Sequence, residues 1–198
     1  DEVMDDVWNY RWSPDGSKIA TLRPDGLYLI DTEGIITELV RGGVWDHWWN
    51  PDGESIIYSG GSRERSTEII NIDGSERRRF TEDIDGYLYW LTFSPDRSQL
   101  AAAQSPSYYV MDTDGSGVLE LYNHPTPNAM NPLFWFQDGG SLFFYSSRER
   151  PAGFYSVDSD GRNLQPLLEE YWDYTDFEGL RVEPQWGQGG IHGTPYSS

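Results

Sequence analysis

Apolar residues along this chain come in short bursts, and polar turn formers break them at nearly even intervals. Residues 11–20 read "RWSPDGSKIA": an aromatic, a Pro-Asp-Gly turn, then an apolar run. The phrase returns as "WNPDGESIIY" from Trp49 and "FSPDRSQLAA" from Phe93, more loosely as "WFQDGGSLFF" from Trp135, and in broken form as "PQWGQGG" from Pro184. The aromatic before each turn is Trp12, Trp49, Phe93, Trp135 and Trp186, with spacings of 37, 44, 42 and 51. A second phrase keeps step with it: "YLIDTEG" ending at Gly34, "IINIDG" at Gly74, "YVMDTDG" at Gly115 and "YSVDSDG" at Gly161, spaced by 40, 41 and 46. Two independent markers on one period define an internal repeat.

Each repeat reads as four short strands. In the second they are "VWDHWW", "SIIYSG", "TEIINI" and "RRRFTE". The turns between them have chemical reasons: Pro51 presets φ, Asp52 can accept from the backbone beyond it, and Gly53 tolerates a left-handed conformation. No stretch holds a 3.6-residue apolar period for three turns, so no helix is predicted. Repeated four-stranded antiparallel units predict an all-β fold, a β-propeller, whereas a β-sandwich gives no reason for a strict repeat. The expectation is one domain over 1–198, with blades at about 7–43, 44–84, 85–125 and 126–170 and a partial fifth unit at 171–198. Four blades closing into one ring, with 180–186 as an added strand, is the favoured arrangement. A piece of a propeller with five or more blades is the alternative.

"WSPDG" before an apolar strand, followed by the Asp-x-Asp-Gly phrase, resembles the TolB-type (WD40-like) propeller repeat over residues 7–170. The fourth unit departs from it, with Phe136 and Gln137 in place of Ser and Pro. The resemblance implies that the first strand of each blade is innermost and buried on both faces, which explains continuously bulky segments such as "VWNYRW" and "YLYWLTF". On that reading Trp8, Trp12, Trp45, Trp49, Trp90 and Trp135 are core residues, and a carbohydrate-stacking role is the sharper alternative for any one of them. It also implies a periplasmic or extracellular setting.

The formal charge is −19, with 33 acidic and 14 basic residues, so phosphate backbones and anionic lipid are repelled. No apolar run approaches bilayer length, and membrane insertion is not expected. Cysteine is absent, which excludes disulfides, thiolate metal sites and cysteine nucleophiles. Aromatics reach 15%, with nine Trp, too many for a disordered acidic tail.

Catalytic chemistry is hard to find. His47, His124 and His192 fall in different units without metal-ligand spacing, and no Gly-x-Ser-x-Gly elbow occurs. The Asp-x-Asp-Gly segments at 112–115 and 158–161 have Ser116 or Arg162 where a calcium loop wants another carboxylate, so they read as turns. No metal or cofactor is implied. "SRER" occurs twice, at 62–65 and 147–150, each between the second and third strands of a unit. Up-and-down topology puts those loops on the opposite end from the aspartate turns. The candidate ligand site is therefore Arg63, Arg65, Arg148 and Arg150 with the channel-mouth residues Trp45, Asp46, His47 and Asn131. Solvated hairpin tips are the plainer reading of the arginines; their planar forks suit a carboxylate or other anion.

The function this predicts is a non-catalytic binding or scaffold propeller for a protein or glycan. The alternatives are an enzyme, or the propeller part of one, acting on acidic or sugar-like substrates, and a subunit of a larger extracellular assembly. Self-association through the C-terminal strand is a further expectation.

Overall fold

The computed structural model describes residues 7–60, 65–123, 131–146 and 153–167, and among these there is no helix. The first sheet holds β1 (Trp8–Trp12), β2 (Lys18–Arg23), β3 (Gly26–Asp31) and β4 (Ile36–Arg41). The second holds β5 (Val44–Trp49), β6 (Ser55–Gly60), β7 (Thr67–Asn71) and β8 (Arg78–Arg79). The third holds β9 (Tyr89–Phe93), β10 (Gln99–Gln104), β11 (Ser107–Asp112) and β12 (Leu119–Asn123). The fourth holds β13 (Leu133–Trp135), β14 (Ser141–Ser146), β15 (Gly153–Asp158) and β16 (Gln165–Pro166). Strand order in every sheet follows the chain, so each is an antiparallel up-and-down meander.

The sequence markers fall in equivalent places. Trp12, Trp49, Phe93 and Trp135 each end the first strand of a sheet and face Ile19, Ile56, Leu100 and Leu142 on the second. The pattern predicts a strand over "RRRFTE", but only Arg78 and Arg79 are extended into the sheet. Phe80 turns inward instead, 1% exposed, with its N–H on the Thr67 carbonyl at 2.9 Å.

The turns show why the phrase repeats. After β1, Ser13 Oγ donates to Asp15 Oδ1 at 2.6 Å, and that same oxygen accepts the Ser17 N–H at 3.0 Å. The third sheet repeats this with Ser94, Asp96 and Ser98 at 2.6 and 3.0 Å. The second substitutes Asn50, whose Nδ2 reaches Asp52 at 2.9 Å. In the fourth, Phe136 has no such side chain, and only Asp138 remains to take the Gly140 N–H at 2.9 Å. The fourth turn residue is left-handed throughout: Gly16 at φ 72°, Gly53 at 72°, Gly139 at 71°, and Arg97 at 61°. Arg97 thus bears a conformation that suits glycine.

The chain divides into two compact units; of the described residues, 7–60 and 68–78 belong to the first and 65–67 with 79–167 to the second. In the first, Ala20, Leu22, Leu27, Leu29 and Val40 of the first sheet pack on Trp49, Ile56, Tyr58 and Ile70 of the second. In the second, Ala101, Ala103, Tyr108, Val110 and Leu121 pack on Leu133, Leu142, Phe144, Tyr155 and Val157. Full burial of such a side chain contributes roughly 1.5–3 kcal/mol. The two pairs of sheets share one further device. Trp49 Nε1 donates to the Arg11 carbonyl at 2.9 Å, and Trp135 Nε1 donates to the Thr92 carbonyl at 3.0 Å. In both cases a marker tryptophan is fastened to the residue just before the marker of the preceding sheet.

Buried polar groups of the first unit are paired only in part: among the described residues Thr21 Oγ1, His47 Nδ1 and Asn50 Oδ1 have no hydrogen-bond partner, whereas three side chains join around Glu68. Tyr58 O–H donates to Glu68 Oε2, which also accepts from Arg77 Nε at 2.7 Å. Burial, together with the Glu68 carboxylate, pushes the Tyr58 hydroxyl well above its ordinary pKa. Tyr58 and Glu68 form a buried brace between β6 and β7, with Arg77 reaching it from the surface.

Candidate functional site

Antiparallel order sorts each sheet into two ends. The turns after the first and third strands share one end; the turn after the second strand and the opening of the first strand share the other. Asp15 and Asp31 lie at the first kind of end, and Arg23, the last residue of β2, lies at the second. Arg65 precedes β7 by two residues and is exposed, at the opposite end of its sheet from Asp52.

The opening of the first strand is unusual in three sheets. Register shifts between Trp8 and Tyr10, between Val44 and Asp46, and between Ala101 and Ala103 opposite β9. Two of these bulges hold left-handed residues, Asn9 at φ 53° and Trp90 at φ 51°. A bulge bends the strand and re-aims its side chains, and positive φ is an outlier for a bulky residue. The residue four before the marker is then turned outward: Trp8 is 47% exposed, Trp45 57% and Tyr89 46%. In the fourth sheet that position is Asn131.

This corrects the core assignment of the tryptophans. Trp49 is buried, and Trp135 is half-buried, but Trp8, Trp12, Trp45 and Trp90 are all exposed. The first strands are therefore not buried on both faces throughout. Bulges lie beside Trp8, Trp45 and Trp90 in their strands.

The predicted site residues separate. Asp46 is tied down, accepting Asn9 Nδ2 at 2.9 Å and pairing with Arg11 Nη1 at 3.1 Å. Arg11 also lies 5.1 Å from the Trp48 ring centroid. His47 is not at a channel mouth: it is fully buried, with Nε2 3.2 Å from the Ala20 carbonyl, so Nε2 carries the proton and donates. Burial, with a smaller effect from Arg11, pushes its pKa down to about 3. The inward side of β5 alternates His47 with Trp49, and that period carries His47 into the core. Asn131 is held structurally, its N–H donating to Tyr108 Oη at 3.0 Å, its carbonyl accepting from that hydroxyl at 2.8 Å, and its Nδ2 reaching the Tyr145 carbonyl at 2.9 Å. Arg63, Arg148 and Arg150 lie outside the described residues, as do His124, His192 and the 171–198 unit.

Arg65 lines a shallow open groove of about 570 Å³ with Ser66, Arg79, Asp85 and Gly86. Arg79 bridges Glu82 and Asp85, both at 3.2 Å, so much of its charge is answered locally. No described ion pair includes Arg65.

The aspartate turns spend their carboxylates on their own backbone. Asp114 accepts the Ser116 N–H at 2.9 Å and Asp160 the Arg162 N–H at 3.0 Å. Asp15 is drawn down to about 2 by its bonds to Ser13 and Ser17. Among the described residues no group of three His, Asp or Glu is placed to hold a metal.

Sequence reasoning missed Asn9, Arg11 and Tyr89, and took Trp90 as core with carbohydrate stacking as the alternative. Aligning the repeats on the marker and counting back four positions does bring Trp8, Trp45 and Tyr89 into one column, a signal present in the sequence. The bulge that exposes them leaves no composition signature.

No protein-family model matches the chain, and no curated protein matches it by sequence. Solved structures do match. A putative TolB from Agrobacterium tumefaciens is 21% identical with a TM-score of 0.58, covering 81% of this chain and 61% of its own. The structure of a nidogen/laminin complex matches at 13% identity and TM-score 0.57, over 77% and 60%. An oligogalacturonate lyase in complex with manganese matches at 15% identity and TM-score 0.63, over 90% and 58%. The chain spans about three fifths of the length of each. At these identities the likeness speaks to fold alone, and with four antiparallel four-stranded sheets it establishes that this chain has the TolB-like β-propeller fold.

Proposed function

We propose that this chain is a non-catalytic binding propeller that holds a protein or glycan where the first strands of its blades open. One observation carries the reading: an exposed aromatic recurs four residues before the marker, at Trp8, Trp45 and Tyr89, each on a bulged strand. Solvent-facing Trp and Tyr offer rigid stacking area at low entropic cost, and they dominate binding surfaces for that reason. In the first unit Trp8 and Trp45 neighbour the bonded pair Asn9 and Asp46, which fixes the backbones that carry them. In the second, Tyr89 and Trp90 lie with ring centroids 6.4 Å apart. On this proposal Arg63, Arg65, Arg148 and Arg150 are the candidate donors, together with Asn131. His47 drops out because it is buried. A formal charge of −19 favours neutral or basic ligands over polyanions. A periplasmic or extracellular setting belongs to the proposal through the resemblance to the TolB-type repeat.

The alternative is an enzyme on acidic sugars, favoured by the oligogalacturonate lyase neighbour. The test is a screen of the full chain on glycan and peptide arrays, followed by Trp45→Ala and Arg65→Ala. Each substitution is expected to weaken the selected interaction by about tenfold or more. Unchanged affinity in both variants overturns the site, and steady release of product from a bound glycan overturns the non-catalytic reading.

A further inference from the structure

In the first unit three contacts converge on one oxygen of a single carboxylate. Asp46 Oδ1 accepts from Asn9 Nδ2 and from the His47 N–H, both at 2.9 Å, and Arg11 Nη1 stands 3.1 Å from it. Among the described residues nothing bonds to Oδ2, and that oxygen is not shut off from solvent: the Asp46 side chain is 37% exposed. The carboxylate is thus fixed by one oxygen and presents the other. Its chain neighbours are aromatic. Trp8 precedes Asn9 and Trp45 precedes Asp46, each one Cα step of about 3.8 Å from the bonded pair. Both tryptophans are exposed. The Trp45 indole lies against Gly43, with Nε1 3.8 Å from where a Cβ would stand there, yet 57% of the residue still meets solvent.

Charge decides what such a place can hold. Arg11 answers Asp46 at 3.1 Å and is itself seated over the Trp48 ring, 5.1 Å from its centroid. A cationic side chain has to compete with this arginine, so the attraction of the indole faces is offset by repulsion from Arg11. An anion meets the carboxylate itself and a chain of formal charge −19. An apolar peptide segment stacks on the indoles but covers Oδ2 without a donor, and a desolvated, unanswered carboxylate oxygen is costly. A neutral sugar ring meets none of these penalties. Its C–H face stacks on an indole, and its hydroxyls donate to Oδ2 in charge-assisted hydrogen bonds.

We propose that Trp8, Trp45 and Asp46 Oδ2 form a subsite for a neutral oligosaccharide, with sugar rings stacked on the indoles and a hydroxyl donating to the carboxylate. The inference rests on the reading of this chain as a binding propeller, and it narrows the protein or glycan of that reading to an uncharged glycan. Asn9, Arg11 and His47 are positioning residues: they occupy Oδ1 and so aim Oδ2. Among the described residues the Asn9 side-chain carbonyl has no donor, which places a second acceptor beside the first. The bond from Asn9 to Asp46 joins β1 to β5, so the subsite is complete only where the first two blades meet.

Indole ¹⁵N NMR on the full chain tests this, with Trp8 and Trp45 assigned by their Trp→Phe variants. The probes are cellohexaose, mannohexaose and xylohexaose, with hexalysine as the cationic comparison. At least one hexaose is expected to shift both indole resonances. Its affinity should stay within about twofold between about 0.02 and 0.5 M sodium chloride, because an uncharged ligand has nothing to screen. Asp46→Asn keeps Oδ1 and replaces Oδ2 by a donor, and it should weaken that binding about tenfold or more. Hexaoses that leave both indoles unmoved overturn the proposal, and so does a folded Asp46→Asn variant that binds as tightly as the wild type. Hexalysine shifting the indoles in place of the sugars, with an affinity that falls in salt, overturns the glycan inference and leaves the binding propeller standing. The broader reading falls separately, on an array-selected ligand that Trp45→Ala and Arg65→Ala both bind unchanged. Should Asp46→Asn fail to fold, the wild-type titration and its salt response decide alone.

Discussion

His47 and Trp45 sit two residues apart on one strand and meet opposite fates, because a bulge separates them. His47 lies fully buried against Ala20, and its neutral form is the one the core accepts. Its folded pKa, about 3, is below the unfolded value near 6.5. The unfolded chain therefore binds the extra proton between those limits. The contribution of neutral His47 is fully present above pH about 6.5 and is lost progressively as pH falls toward 3, to an extent on the order of 5 kcal/mol. Chemical denaturation from pH 7 to 4.5 should show stability falling with a slope that His47→Gln flattens. Equal slopes in the two proteins would show that His47 does not set the acid limb. Below that window Asp15, Asp73 and Asp96, all drawn down by their turn bonds, add losses of the same sign. None of this could be read from the sequence beforehand. "VWDHWW" announces bulk, but which of its residues face the core depends on a bulge whose presence no residue type in the segment demands.

At the level of elements the sequence was far more legible, since turns are local and their chemistry is written in the residues that make them. Ser13, Asp15 and Gly16 do in the structure what their positions predict, and Ser94 with Asp96 repeats it. Strand order and the pairing of each marker with the second strand followed from the repeat, whereas the register shifts at the strand openings did not. The exceptions are places where a distant packing partner overrides local preference, as where Phe80 turns inward and cuts the fourth strand of the second blade to two residues. Arg97 is a local exception that costs stability. It holds the left-handed position at φ 61° that glycine fills in the other three turns, and its N–H still closes the turn on the Ser94 carbonyl at 2.8 Å. A left-handed L-residue costs about 1–2 kcal/mol, and glycine returns about 0.5–1 of that through unfolded-state entropy. Arg97→Gly should therefore stabilise the protein by about 0.5–1 kcal/mol in urea unfolding at neutral pH. A loss of stability would mean that the arginine side chain contributes more than its backbone strain removes.

Across the whole molecule, composition constrains behaviour more than fold. The chain carries 33 acidic residues against 14 basic ones, and topology gathers turn aspartates at one end of each blade, Asp15 with Asp31 and Asp52 with Asp73. Much of the described ion pairing is exposed: Arg41 and Glu38 are 81% and 35% accessible, and Arg79 meets a fully exposed Asp85. Such pairs contribute about 0–1 kcal/mol and are screened along with everything else. The partly buried exceptions, Arg77 with Glu68 and Arg11 with Asp46, are shielded from salt by their surroundings. Screening therefore removes more repulsion than attraction. Raising sodium chloride from about 0.02 to 0.5 M shortens the Debye length from roughly 20 to 4 Å, less than the spacing between most surface charges. Melting at pH 7.5, where His47 is neutral, should move upward by several degrees over that range. Chloride is chosen over sulfate so that surface exclusion does not mimic the effect. A melting temperature that stays level or falls would show that attractive pairs balance the net charge, and that the acidity of this propeller is distributed with more compensation than its turn chemistry indicates.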